Sequence, residues 1–104
     1  MNFDTPIGPR AKDVLTFDFT NGLAAGEILS GTITVTVTLA NGSAGKDKTP
    51  ASLLNGIAQI SADNKKVLVP VKGRTQGADY DIEVVAPTNN PQRVLTMVAT
   101  LNCR

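Results

Sequence analysis

The stretch Thr32-Ile33-Thr34-Val35-Thr36-Val37-Thr38-Leu39 alternates apolar and polar side chains, and every residue before Leu39 is β-branched. Alternation at period two is the pattern of a half-buried strand, and β-branched side chains pack well on a pleated surface. Ile33, Val35, Val37 and Leu39 therefore face a core, and the threonines face water or a partner. A helix would scatter these residues around its whole circumference.

The same test finds further strands on both sides. In Val14-Leu15-Thr16-Phe17-Asp18-Phe19-Thr20, the residues Leu15, Phe17 and Phe19 share one face. Ala58-Gln59-Ile60-Ser61 is a short strand. Val67-Leu68-Val69-Pro70-Val71 is apolar on both faces, and Pro70, which cannot donate to a ladder, points to an edge position or a bulge. Tyr80-Asp81-Ile82-Glu83-Val84-Val85-Ala86 turns Tyr80, Ile82, Val84 and Ala86 inward. The last strand, from Arg93 to Leu101, does the same with Leu95, Met97, Ala99 and Leu101.

Turn chemistry separates these segments. Asn21-Gly22 and Asn41-Gly42 supply residues that accept positive φ. Ala62-Asp63-Asn64-Lys65-Lys66 reads as a polar hairpin, and Asn89-Asn90-Pro91-Gln92 as a tight turn. Residues 41–50 are polar, contain Gly and Lys, and read as a mobile loop. Pro50-Ala51-Ser52-Leu53-Leu54 is compatible with one helical turn or with a short strand.

A chain of 104 residues makes one domain with one core. Six to eight short strands, with turns between them, predict an all-β sandwich of antiparallel strands over residues 13–104. Tyr80, in Gly77-Ala78-Asp79-Tyr80-Asp81-Ile82, opens the penultimate strand. A tyrosine corner has that position, which points to an immunoglobulin-like version; a plain core aromatic fits as well. The Cys–Trp–Cys core of antibody domains is absent, so apolar packing alone must hold the two sheets together. Residues 1–12 carry Pro6, Gly8 and Pro9 and show little periodicity. They read as an extended N-terminal arm. It is either a frayed terminus or a segment that lies on a neighbouring subunit with Phe3 and Ile7 as anchors.

Composition narrows the function. Ten basic and nine acidic residues give a net charge of +1, which argues against a nucleic-acid surface. There is no His, no Trp and one Cys, which excludes a Cys/His zinc site, a disulfide framework and a Ser-His or Cys-His nucleophile pair. Cys103 reads as an incidental thiol at a strand end. No basic start followed by an apolar run marks a secretory signal, and no stretch approaches membrane-spanning length. The expectation is a protein made in the cytosol that stays soluble or joins an assembly.

Chemical candidates are few. Asp79, Asp81 and Glu83 recur at period two on one outward face and could gather a hard cation such as calcium, but a solvated strand face is the preferred reading. Gly73-Arg74-Thr75-Gln76-Gly77 lacks the Lys-Ser/Thr of a phosphate-binding loop. No cofactor and no catalytic residue is expected. Lys46, Lys48, Lys65, Lys66, Lys72 and Arg74 lie on loops or strand ends, where convergence would suit an acidic partner. Aromatics for base stacking are nearly missing. Protein–protein contact remains, through a Thr-rich face, an unpaired edge, the arm and the 41–50 loop with Lys46 and Lys48.

Ala11-Lys12-Asp13-Val14-Leu15-Thr16-Phe17-Asp18-Phe19, then Leu23, then Gly26-Glu27-Ile28-Leu29-Ser30 and the later Gly77-Ala78-Asp79-Tyr80-Asp81-Ile82, resemble small virion proteins of tailed bacteriophages, of the fibre–tail adaptor and neck type. Phe19 stands where a Trp is common in that family. The resemblance spans residues 10–101 and rests on short motifs. It implies an immunoglobulin-like fold, a location in the virion after synthesis in the cytoplasm of a host bacterium, and no catalysis. The partners it implies are other virion proteins of the tail, neck, fibre or capsid. The chain itself would be a homo-oligomer or part of a symmetric ring, with no nucleic acid and no membrane. The expected function is an adaptor bridging tail or neck components to fibres. The alternatives are a capsid decoration or cement protein and, from another class, a carbohydrate-binding β-sandwich module.

Overall fold

The computed structural model describes residues 8, 11–40, 45, 50–73 and 77–103. Phe3, Ile7, Lys46, Lys48 and Arg74 lie outside these residues, as does nearly all of the N-terminal arm. Among the described residues, six strands follow in order: β1 (Lys12–Asp18), β2 (Thr34–Leu39), β3 (Gln59–Ile60), β4 (Lys66–Lys72), β5 (Asp79–Pro87) and β6 (Val94–Asn102). They form two antiparallel three-stranded sheets, ordered β1-β4-β3 and β2-β5-β6. The fold is all-β, as the period-two patterns require.

The two sheets contribute to one core. Leu15 and Phe17 of β1 and Val67, Val69 and Val71 of β4 are buried together with Val37 of β2, Tyr80, Ile82, Val84 and Ala86 of β5, and Ala99 and Leu101 of β6. β4 and β5 bury strictly alternate residues, the direct consequence of side chains pointing to opposite faces in turn. Tyr80 is the largest fully buried side chain and sits in register between Leu39 and Leu101. Cys103 is also fully buried, just past β6.

Three local expectations change. Pro70 lies in β4, the central strand of its sheet, and not at an edge. It is tolerated because N and O of one strand residue point to the same side, and the carbonyl of Pro70 accepts from Asn55 N–H at 2.9 Å. Its missing N–H thus faces residues 55–57, beyond the end of β3, and no bond to β1 is lost. Residues 50–54 combine both conformations under consideration: a 3-10 turn, Pro50–Leu53, runs into a single bridge of Leu54 with Val71. Asn21-Gly22 lies in the 3-10 turn Thr20–Gly22 without positive φ. The positive φ of that connection falls at Gly26 and at Gly31, where the chain passes Pro87.

The crossing from the first sheet to the second is pinned by Leu29. Its N–H donates to Asn64 O at 2.8 Å, in the β3–β4 hairpin, and it bridges Thr88 at the end of β5. The hairpin itself forms as expected. Ser61 N–H donates to Lys66 O, Asn64 takes a left-handed φ of 59°, and the Asp63 carboxylate accepts from the Ser61 hydroxyl and Lys65 N–H.

Candidate functional site

Two outer sheet faces and four sheet edges define the accessible surface of the described residues. On the β1-β4-β3 sheet, the even-numbered residues of β1 and β4 turn outward. Val14 is opposite Pro70, and Leu68 lies between Thr16 and Gln59. Val14 is 54% exposed and Ile57, in the segment leading to β3, is 85% exposed. Val14, Ile57, Gln59, Leu68 and Pro70 line a shallow depression of about 280 Å³. Gly56 carries a φ of 143°, and a Cβ there would press on Pro70 Cγ at 3.3 Å. A glycine thus keeps this segment close against the apolar face. The outward apolar residues of β4 were legible in the sequence; their junction with Val14 and Ile57 was not.

The outer face of the β2-β5-β6 sheet is polar. Thr36, Thr38, Asp81, Glu83 and Val98 line a depression of about 340 Å³. Asp81 sits between Thr38 and Thr100, and the Thr100 hydroxyl donates to its Oδ1 at 2.7 Å. Glu83 is exposed and lies between Thr36 and Val98. Asp79, Asp81 and Glu83 therefore share the outward face predicted for them. Among the described residues, no three His, Cys, Asp or Glu side chains converge as metal ligands.

The described lysines fall in two separate groups and form no single patch. Lys65 and Lys66 sit at the β3–β4 hairpin, where Lys66 pairs with Asp63 at 3.3 Å. Lys72 lies at the far end of β4, opposite Lys12. Six residue steps along the strand separate Lys66 from Lys72, roughly 20 Å. Phe17, Phe19 and Tyr80 are all buried, so among the described residues no aromatic side chain is presented to a sugar or a base.

The edges differ. On β1, the Asp13 carboxylate accepts the Val14 N–H at 2.7 Å, and Lys12, Asp13 and Asp18 place charge along the strand. β3 has two residues. β2 runs beside the 3-10 turn Pro50–Leu53. β6 is the last strand of its sheet and contains no charged residue, no Pro and no Gly over nine positions. Val94 and Val98 on it are 55% and 47% exposed.

A second feature had no signal in the sequence. Glu27 is buried and Arg93 closes over it, with Nε 3.0 Å from Oε2. Among the described residues, no helix is long and apolar enough to cross a membrane. No family model, curated protein or solved structure matches this chain.

Proposed function

We propose that the chain is a non-enzymatic structural protein of a tailed-bacteriophage virion, an immunoglobulin-like module that bridges tail or neck components to fibres through protein–protein contacts. The strand order supports the fold. In an immunoglobulin constant-type sandwich, strands B, E and D are neighbours in one sheet, and C, F and G in the other. Here β1, β4 and β3 follow the first order, and β2, β5 and β6 the second. Tyr80, the second residue of β5, then falls near the start of the strand equivalent to F, where a tyrosine corner belongs.

One observation carries the adaptor reading. The apolar outer face around Leu68, Pro70 and Ile57 belongs to one sheet, and the long edge of β6, unpaired among the described residues, belongs to the other. A small module with contact surfaces on both layers is suited to joining two neighbours, and repetition in a symmetric ring supplies avidity from weak single contacts. The test is copy number per particle, measured by quantitative mass spectrometry of purified virions. A few to roughly a few tens of copies matches an adaptor at a tail or neck. Copies in the range of hundreds would transfer the chain to capsid decoration, and absence from particles would overturn the structural role.

A further inference from the structure

We propose that the exposed edge of β6 pairs with β6 of a second copy of this chain, antiparallel and about a two-fold axis at Val98. The proposal concerns the isolated protein and stands whether or not the chain belongs to a virion.

The free backbone groups can be identified. Cys103 N–H donates to Ala78 O and Thr88 N–H to Arg93 O, so the odd-numbered residues at both ends of β6 point their backbone toward β5. Backbone direction alternates along a strand. The N–H and C=O groups of Val94, Thr96, Val98, Thr100 and Asn102 therefore point away from β5, and among the described residues nothing pairs with them. A row of unpaired strand groups is a template for another strand, and proteins normally blunt such an edge with charge, proline, bulges or shortness. β1 carries charge and a carboxylate on one of its N–H groups, and β3 is short. β6 has none of these devices.

Charge identifies the occupant. On a two-fold axis each side chain near the axis faces its own copy, so a charged residue there meets its like. From Val94 to Asn102 there is no charge to oppose itself, and none to select a strand of opposite sign. Centring the axis on Val98 sets Val98 against Val98, Thr96 against Thr100, and Val94 against Asn102. Every outward N–H and C=O of the strand then finds a partner. Aliphatic and Thr–Thr cross-strand pairs are favourable neighbours on such a face. The product is one continuous six-stranded antiparallel sheet.

Sedimentation velocity of the full chain over about 5–500 µM tests this, together with amide hydrogen exchange. The expected result is a monomer–dimer equilibrium, with the amides of Thr96, Val98 and Thr100 gaining protection as the dimer forms. Val98→Lys and Val98→Glu each place like charges on the axis and should raise the dissociation constant about tenfold or more. Mixed in equal amounts, the two variants should associate again. Thr96→Pro is a second disruption; it removes an outward N–H and leaves the β5 bonds in place. A chain that stays monomeric over the whole range overturns the proposal. So does a dimer that survives these substitutions while their circular dichroism stays native. Amides protected in the monomer, and exposed when residues 1–10 are removed, would give this edge to the chain's own N-terminal segment and overturn it as well.

Discussion

Arg93, at the entrance to β6, holds the buried carboxylate of Glu27, sixty-six residues earlier in the chain. Its Nε donates to Oε1 at 3.2 Å and lies 3.0 Å from Oε2, while its Nη2 donates to Gly22 O at 2.7 Å. The same Oε1 accepts from Ala24 N–H at 3.1 Å. One side chain thus fixes the 22–27 loop against the second sheet. Arg93 is 43% exposed, so solvent weakens the charge attraction, but Glu27 is not exposed enough to be solvated alone. Arg93→Ala should therefore destabilise by about 1–3 kcal/mol, mainly by leaving a buried carboxylate without its cation. Glu27→Gln, which keeps an acceptor for Ala24, should cost less. Chemical denaturation of the two single variants and the double variant measures the coupling.

Leu29 is the other tie between the layers, and it works by burial. It is fully buried while its backbone bonds to the β3–β4 hairpin on one sheet and bridges the end of β5 on the other. Leu29→Ala should cost about 2–5 kcal/mol, the range for a leucine cavity in a packed core. A loss below 1 kcal/mol in urea denaturation would mean that the crossing segment collapses onto the space.

The β3–β4 hairpin gives stability an acid dependence. The Ser61 hydroxyl, then Lys65 N–H and Lys66, hold the Asp63 carboxyl down to about 2 from its ordinary 3.8. Bonds from Thr20 lower Asp18 too. A carboxylate depressed in the folded state contributes stability above its unfolded pKa, and that contribution fades as pH falls toward its folded value. For Asp63 this window runs from about pH 4 to about pH 2. Asp63→Asn should flatten the decline of melting temperature across that window and leave the slope above pH 5 unchanged.

How much of this was legible follows from the range of each interaction. The strands were legible because side-chain alternation is written residue by residue, and Leu15, Phe17, Tyr80, Ile82 and Val84 are buried as that pattern requires. The Ser61–Lys66 hairpin was legible because its turn residues bond to one another. Pro70 was misplaced because the rule for proline concerns the neighbouring strand, and sheet order is not a local property. Glu27 and Arg93 left no signal for the same reason: each looks like an ordinary loop charge until the fold sets them together. The apolar face was half legible. Leu68 and Pro70 showed it on β4, while Val14 and Ile57 joined it only through strand pairing.

The core of the described residues begins after residue 10. Every buried hydrophobic side chain among the described residues lies at or after Leu15, and β1 begins at Lys12. A chain lacking residues 1–10 should keep its β-rich circular dichroism and cooperative melting. If Phe3 and Ile7 anchor it to a neighbouring subunit, its incorporation into particles should fall. Normal incorporation would remove the arm from the proposed contacts.

Ile57 offers the cleanest test of the apolar face. It is 85% exposed, lies outside the strands, and contributes little to the core. Surface substitutions of this kind usually change stability by no more than about 0.5 kcal/mol. An isoleucine this exposed contributes little to folding, whereas at an interface its burial is worth about 1.5–3 kcal/mol. Ile57→Asp should therefore leave the melting temperature nearly unchanged and, on the proposed adaptor role, reduce incorporation into particles roughly tenfold or more, because a carboxylate would be desolvated against Leu68 and Pro70. Ile57→Asp particles with a normal complement of the protein would remove the apolar face from the proposed contacts.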